Sequence, residues 1–182
     1  MAEENKGRTE REFEKIINVC RDIYIKKMRD YGTSWRIMRP MSLTDQIFIK
    51  ARRIRSLEEK SEHRVNEGIV PEYIGIVNYC AMALIQLELG PGEPINEEKA
   101  LNLYDMMIGR ATSLMLNKNH DYDEAWRGMR VSSFTDIILQ KLYRTKEIES
   151  HNGKTIISEG VDANYMDMIN YAIFALIKLC AE

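Results

Sequence analysis

An all-α fold of two tandem three-helix repeats, packed as a pseudo-two-fold helical bundle, is what this sequence predicts, and three observations carry the prediction. The stretch from Asp30, DYGTSWRIMRPMSLTDQIFIKARRIR, aligns without a gap on the stretch from Asp121, DYDEAWRGMRVSSFTDIILQKLYRTK, with twelve of 26 positions identical. A second block, from Glu67, aligns on one from Glu159, shifted by a single residue relative to the first pair. Chance rarely keeps one offset over two separate blocks, and a repeat of this length is one supersecondary unit that buries its apolar face against its copy. Apolar residues recur at helical spacing, and only four prolines and ten glycines interrupt 182 residues.

Taken in order, the spacing of Phe13, Ile16, Ile17, Cys20 and Tyr24 predicts a first helix from Arg8 to Arg29, with a counterpart from Asn96 to His120. Asn96 followed by Glu97 and Glu98 is an N-cap with acids complementing the helix dipole. A second helix is expected from near Ser42, and from near Ser133 in the other repeat, because Ser-x-Thr-Asp offers capping oxygens before an apolar run. The third begins near Glu67 and near Ser158. Ile69, Tyr73, Ile76, Val77, Cys80, Ala81, Leu84 and Leu87 make it apolar almost all round, which places helices three and six at the centre. Gly90-Pro91-Gly92-Glu93-Pro94 breaks the chain between a first repeat over 1–90 and a second over 95–182, read together as one compact unit.

The formal charge is −2 with 30% charged and 45% hydrophobic residues, which argues against nucleic acid or an anionic membrane as a partner. The polar start and the lack of an uninterrupted apolar run of 18 residues point to a cytoplasmic protein with no span. Cys20, Cys80 and Cys180 are expected as buried free thiols, and His63, His120 and His151 as solvent-facing side chains. A fused duplicate mimics a homodimer, and further homo-oligomerisation stays open.

Polar residues kept in both repeats single out candidates for chemistry. Arg36, Arg39, Lys50 and Arg53, with Arg127, Arg130, Lys141 and Arg144, form two basic sets suited to an anion, since guanidinium forks bind phosphate bidentately. Tyr31 and Trp35, with Tyr122 and Trp126, are aromatics suited to stacking on a base. The plain alternative is a structural loop in which each arginine pairs with a carboxylate or a helix end. The acids differ between repeats. Asp136, Glu159, Asp162 and Asp167 belong to the second, whereas Val70 and Gly75 stand at the places of Asp162 and Asp167 in the first, which keeps Asp45, Glu67 and Glu72. Carboxylates on facing helices hold Mg²⁺ in bundles; first-turn helix charges are the alternative reading.

Lys118-Asn119-x-Asp121-Tyr122, Trp126, the helix with Lys141 and Arg144, and Asp167-x-x-Asn170-Tyr171 resemble the nucleotide-modification-associated domain family. The resemblance spans nearly the whole second repeat and, more loosely, the first, where Lys27-Met28 and Gly75 depart from it. The chain is similar, more distantly, to the all-α nucleoside-triphosphate pyrophosphohydrolases. Glu159-x-x-Asp162 fits one of their acidic motifs, and the Glu-Glu-x-x-Glu motif is missing. These resemblances imply nucleotide binding, with Mg²⁺-dependent hydrolysis of a non-standard or modified nucleoside triphosphate to monophosphate and pyrophosphate. Asp136, Glu159, Asp162 and Asp167 would then be metal ligands or base. Arg127, Arg130, Lys141 and Arg144 would neutralise phosphate, Trp126 and Tyr122 would stack on the base, and Lys118 and Asn170 would be further substrate-binding residues. The alternative is a non-catalytic helical module that binds a nucleotide or a protein.

Overall fold

The computed structural model describes residues 2–60 and 65–181. It contains α1 (Ala2–Tyr31), α2 (Pro40–Glu59), α3 (Val65–Leu89), α4 (Glu97–Tyr122), α5 (Val131–Ser150) and α6 (Val161–Cys180). A short 3₁₀ turn follows the first helix of each repeat, at Ser34–Ile37 and Ala125–Gly128. No strand occurs among the described residues. The hairpins α2–α3 and α5–α6 face each other as a four-helix core, with α3 against α6. Helices α1 and α4 lie outside, and each touches both central helices. One apolar core runs through both repeats. Fully buried Ala81, Ala83, Ala172 and Ala175 keep the central helices slim enough to approach closely.

The stretch Gly68–Leu89 is long and apolar enough, by length and composition, to cross a bilayer. In the fold it is the central helix, covered by α2 and α6.

Asn96 caps α4 as expected: its Oδ1 accepts from Lys99 N–H at 2.8 Å. The second helices start earlier than Ser-x-Thr-Asp implies. α2 opens at Pro40 and α5 at Val131, and the preceding Arg39 and Arg130 make no side-chain cap. Proline fits the first helical position because its missing N–H has no partner there in any case. Ser42 and Ser133 therefore sit within the first turn, and the threonines beside them have another use. Thr44 Oγ1 lies 2.5 Å from Tyr165 Oη and 3.2 Å from the Glu149 carboxylate, to which it donates. Thr135 Oγ1 lies 2.5 Å from Tyr73 Oη and donates to Glu58 at 3.2 Å. These Tyr–Thr–Glu chains are related by the repeat, and each draws its threonine from the opposite half. Burial raises the carboxyl pKa of both Glu58 and Glu149, against the opposing pull of the threonine hydroxyls.

Cys20 and Cys80 are buried, and burial pushes the Cys20 thiol up to about 12. Cys180 is exposed, contrary to expectation, because α6 ends there and leaves it at the surface. His120 and His151 are exposed; His63 lies outside the described residues.

Candidate functional site

The second repeat's site is built on the turn between α4 and α5. Asp123 and Glu124 adopt left-handed backbone conformations, which reverse the chain after α4 and bring Ala125–Gly128 back over α6. Lys178, near the end of α6, donates to the carbonyls of Arg127, at 2.9 Å, and Met129. Trp126 is thereby held against α6, where Phe174 stacks on its ring at 4.4 Å and 8°. The Arg127 guanidinium lies over the same ring at 4.4 Å. Two groups that near one centroid do not share a face, so both faces of Trp126 are covered. Arg127 is also bound to Glu124 and to Glu12 of α1, each at 2.8 Å.

Beside this turn lies a cavity of about 210 Å³. That is larger than the roughly 150 Å³ known to accept a benzene ring. Its walls are mostly apolar, from Met115, Met129, Phe174, Tyr171 and Trp126. Tyr122 stands at the mouth, 72% exposed, with a ring free for stacking. The polar rim is Lys118, Asn119, Asp167 and Asn170. Two buried polar atoms of the lining residues have no hydrogen-bond partner, Trp126 Nε1 and Asn170 Oδ1.

Asp167 is buried on α6, and its two oxygens take two ammonium groups: Lys118 at 2.7 Å and Lys141 at 2.8 Å. Burial pulls the Lys118 pKa down, but the hydrogen bond and charge of Asp167 outweigh it and raise the pKa above its usual value. Two cations thus face one carboxylate at the cavity's rim, with the Glu159 charge also acting on Lys118. On the far side of Lys141 an open groove of about 710 Å³ runs under residues 154–159 and is lined by Arg144, His151 and Lys154 as well as by Glu147 and Glu159.

The first repeat fills the same ring of positions differently. Tyr24 replaces Met115, Met28 replaces Asn119, Gly75 replaces Asp167, and both Tyr24 and Met28 are buried. Lys50, the counterpart of Lys141, lies along Gly75 and pairs with Glu72 at 3.4 Å. Arg53 reaches the same carboxylate at 3.5 Å. Arg36 is buried and donates to the Gly90 carbonyl at 2.8 Å and to Gln86, while Arg39 points outward. Arg36, Lys50 and Arg53 are thus taken up by partners of their own, and the first basic set does not converge.

Of the residues the sequence selects in the second repeat, Lys118, Tyr122, Trp126, Asp167 and Asn170 meet at the cavity, and Lys141 and Arg144 line the groove. Arg130 is exposed at the head of α5, and Arg127 is held by carboxylates rather than by a free face of the site. The four-carboxylate set does not assemble. Asp136 and Asp162 are exposed, Glu159 is exposed in the groove, and among the described residues no three His, Cys, Asp or Glu side chains come together as a metal site. Both oxygens of Asp167 already hold ammonium groups, so this donor set does not fit a divalent cation. The side chain of Glu67 lies outside the described residues. Met115 and Phe174 were not selected from sequence. Their signal is difference, not identity, between the repeats: Tyr24 and Met82 stand at their places.

The fold and the site define a duplicated helical domain in which the second copy carries an aromatic cavity with a cationic rim. The chain belongs to the family described as nucleotide modification associated domain 1, whose model matches twice, at residues 27–87 and 118–179. The two matches coincide with the tandem repeats. No curated protein and no solved structure matches the chain, and the more distant likeness to pyrophosphohydrolases is not shown.

Proposed function

We propose that the protein binds a nucleotide at its second repeat, with the base in the cavity beside Tyr122 and the phosphates over Lys118, Lys141 and Arg144. The observation that carries this is the position of the Lys118–Asp167–Lys141 bridge, between an apolar, aromatic-walled hollow and a groove with further cations. A nucleotide has the same order of parts: a flat ring, then a run of negative charge. Asp167 holds the two lysines in place, and phosphate oxygens engage the protons it leaves free. Binding without turnover is favoured over Mg²⁺-dependent hydrolysis, because the carboxylates needed for the metal are separated.

Calorimetry with the natural nucleoside mono- and triphosphates, with and without Mg²⁺, tests the reading. Binding is expected for at least one base, and Lys118→Met and Lys141→Met should each weaken it about tenfold or more, as for a charge-assisted hydrogen bond. A chain that takes up no nucleotide, or whose affinity ignores both lysine changes, removes the proposal. Mg²⁺-dependent release of pyrophosphate in the same samples would restore the hydrolytic reading.

A further inference from the structure

We infer that the carboxamide oxygen of Asn170 reads the base, and that the ligand must present an N–H donor to it within the cavity. This rests on the nucleotide reading and adds which feature of the base is recognised. Asn170 is 5% exposed and lines the cavity. Its Nδ2 donates to the Ala111 carbonyl at 2.9 Å, which fixes how the amide is turned. Its Oδ1 is buried and has no partner. An open buried acceptor costs about 1–3 kcal/mol, so it calls for a reason.

The first repeat supplies the comparison. Asn78 makes the equivalent bond, Nδ2 to the Cys20 carbonyl at 3.1 Å, and its Oδ1 accepts from the Tyr104 hydroxyl at 2.7 Å. In the register of the repeat, the counterpart of Tyr104 is Phe13, which has no hydroxyl. The Tyr104 ring stacks on Tyr24 at 4.3 Å, and the counterpart of Tyr24 is Met115, a wall of the cavity. The place of the missing hydroxyl therefore borders the hollow. One asparagine is closed by the protein's own donor, and the other keeps its acceptor for a ligand. Met115 is unbranched and gives the hollow an adaptable wall at that point. The amino and imino groups of nucleobases are donors of the required kind; a base with those groups methylated is not.

Calorimetry on the full chain tests this with the natural nucleotide that binds and its counterpart methylated on the base N–H groups, such as the 5′-phosphates of N3-methyluridine, N4,N4-dimethylcytidine or N6,N6-dimethyladenosine. The methylated base should bind about tenfold weaker or worse, as expected when a desolvated acceptor loses its donor. Phe13→Tyr is the second arm. Its hydroxyl should satisfy Asn170, raise the Tm and weaken binding of the parent nucleotide about tenfold. Equal affinity for parent and methylated base overturns the inference and leaves nucleotide binding standing. Failure of every natural nucleotide to bind overturns both. Should Phe13→Tyr fold poorly, the methylated pair on the unaltered chain decides alone.

Discussion

Gly75 and Asp167 hold the same place in the two repeats and treat the neighbouring lysine in opposite ways. A Cβ on Gly75 would stand 2.7 Å from Lys50 Cε, so the lysine stem occupies the room a side chain would need. Its charge is met instead by Glu72, one turn earlier on the helix. At Asp167 the carboxylate itself reaches in and takes two ammonium groups. Asp167→Asn leaves both cations without a counter-charge. Breaking a buried pair costs about 3–5 kcal/mol, and the half-exposed Lys118 recovers part of that from water, so a loss of about 2–3 kcal/mol is expected in urea unfolding. A loss under about 0.5 kcal/mol would mean that the lysines are already solvated. Since the folded pKa of Lys118 is raised, its contribution is complete below the ordinary lysine pKa of about 10.4 and fades only above it. Asp167 was legible as a candidate because the first repeat lacks it. Asp136, Glu159 and Asp162 looked equivalent in sequence, because periodicity gives the face of a helix but not its depth in the bundle.

The 3₁₀ turns show the same positions solving one problem with different chemistry. Each turn leaves two carbonyls aimed at the end of the third helix. In the first repeat Gln86 Nε2 donates to Arg36 O at 2.8 Å and to Met38 O at 2.5 Å. In the second, Lys178 serves Arg127 O and Met129 O. Lys178→Met should therefore cost about 1.5–3 kcal/mol, the range for bonds from a charged donor, and loosen the turn that carries Trp126. Lys178→Gln should recover most of that loss, measured by thermal unfolding of both variants. Equal Tm values for the two would show that the turn is held by packing alone. The helices themselves were readable from apolar spacing, and Asn96 from its capping role. The starts of α2 and α5 were not, because Ser42, Thr44, Ser133 and Thr135 satisfy a capping pattern locally while the threonines are committed to tyrosines across the bundle. A local motif competes with tertiary partners that the linear sequence does not display.

Across the whole molecule, the two Tyr–Thr–Glu chains tie the halves together at symmetric points. Glu58 and Glu149 are part-buried, and both titrate above the usual glutamate range because burial disfavours their charge. A carboxyl whose folded pKa is raised stabilises the fold at low pH, and that contribution is lost as pH rises from the unfolded value, about 4.3, through the folded one. Glu58→Gln with Glu149→Gln should accordingly raise the Tm at pH 7, with the gain shrinking toward pH 4. A Tm difference independent of pH would point to packing instead of ionisation.

Joining the halves through 90–94 has a consequence for how they can diverge. Two identical chains meeting on a true two-fold axis express every substitution in duplicate, so a hollow in one is a hollow in the other. A fused chain is free of that constraint. One half has Asp167 and an open recess, while its twin has Gly75 and a buried Tyr24 at the places of Asp167 and Met115. Matched positions can then carry unlike side chains: Asn78 is closed by the Tyr104 hydroxyl, while Asn170 stands opposite the ring of Phe13 and keeps its oxygen open.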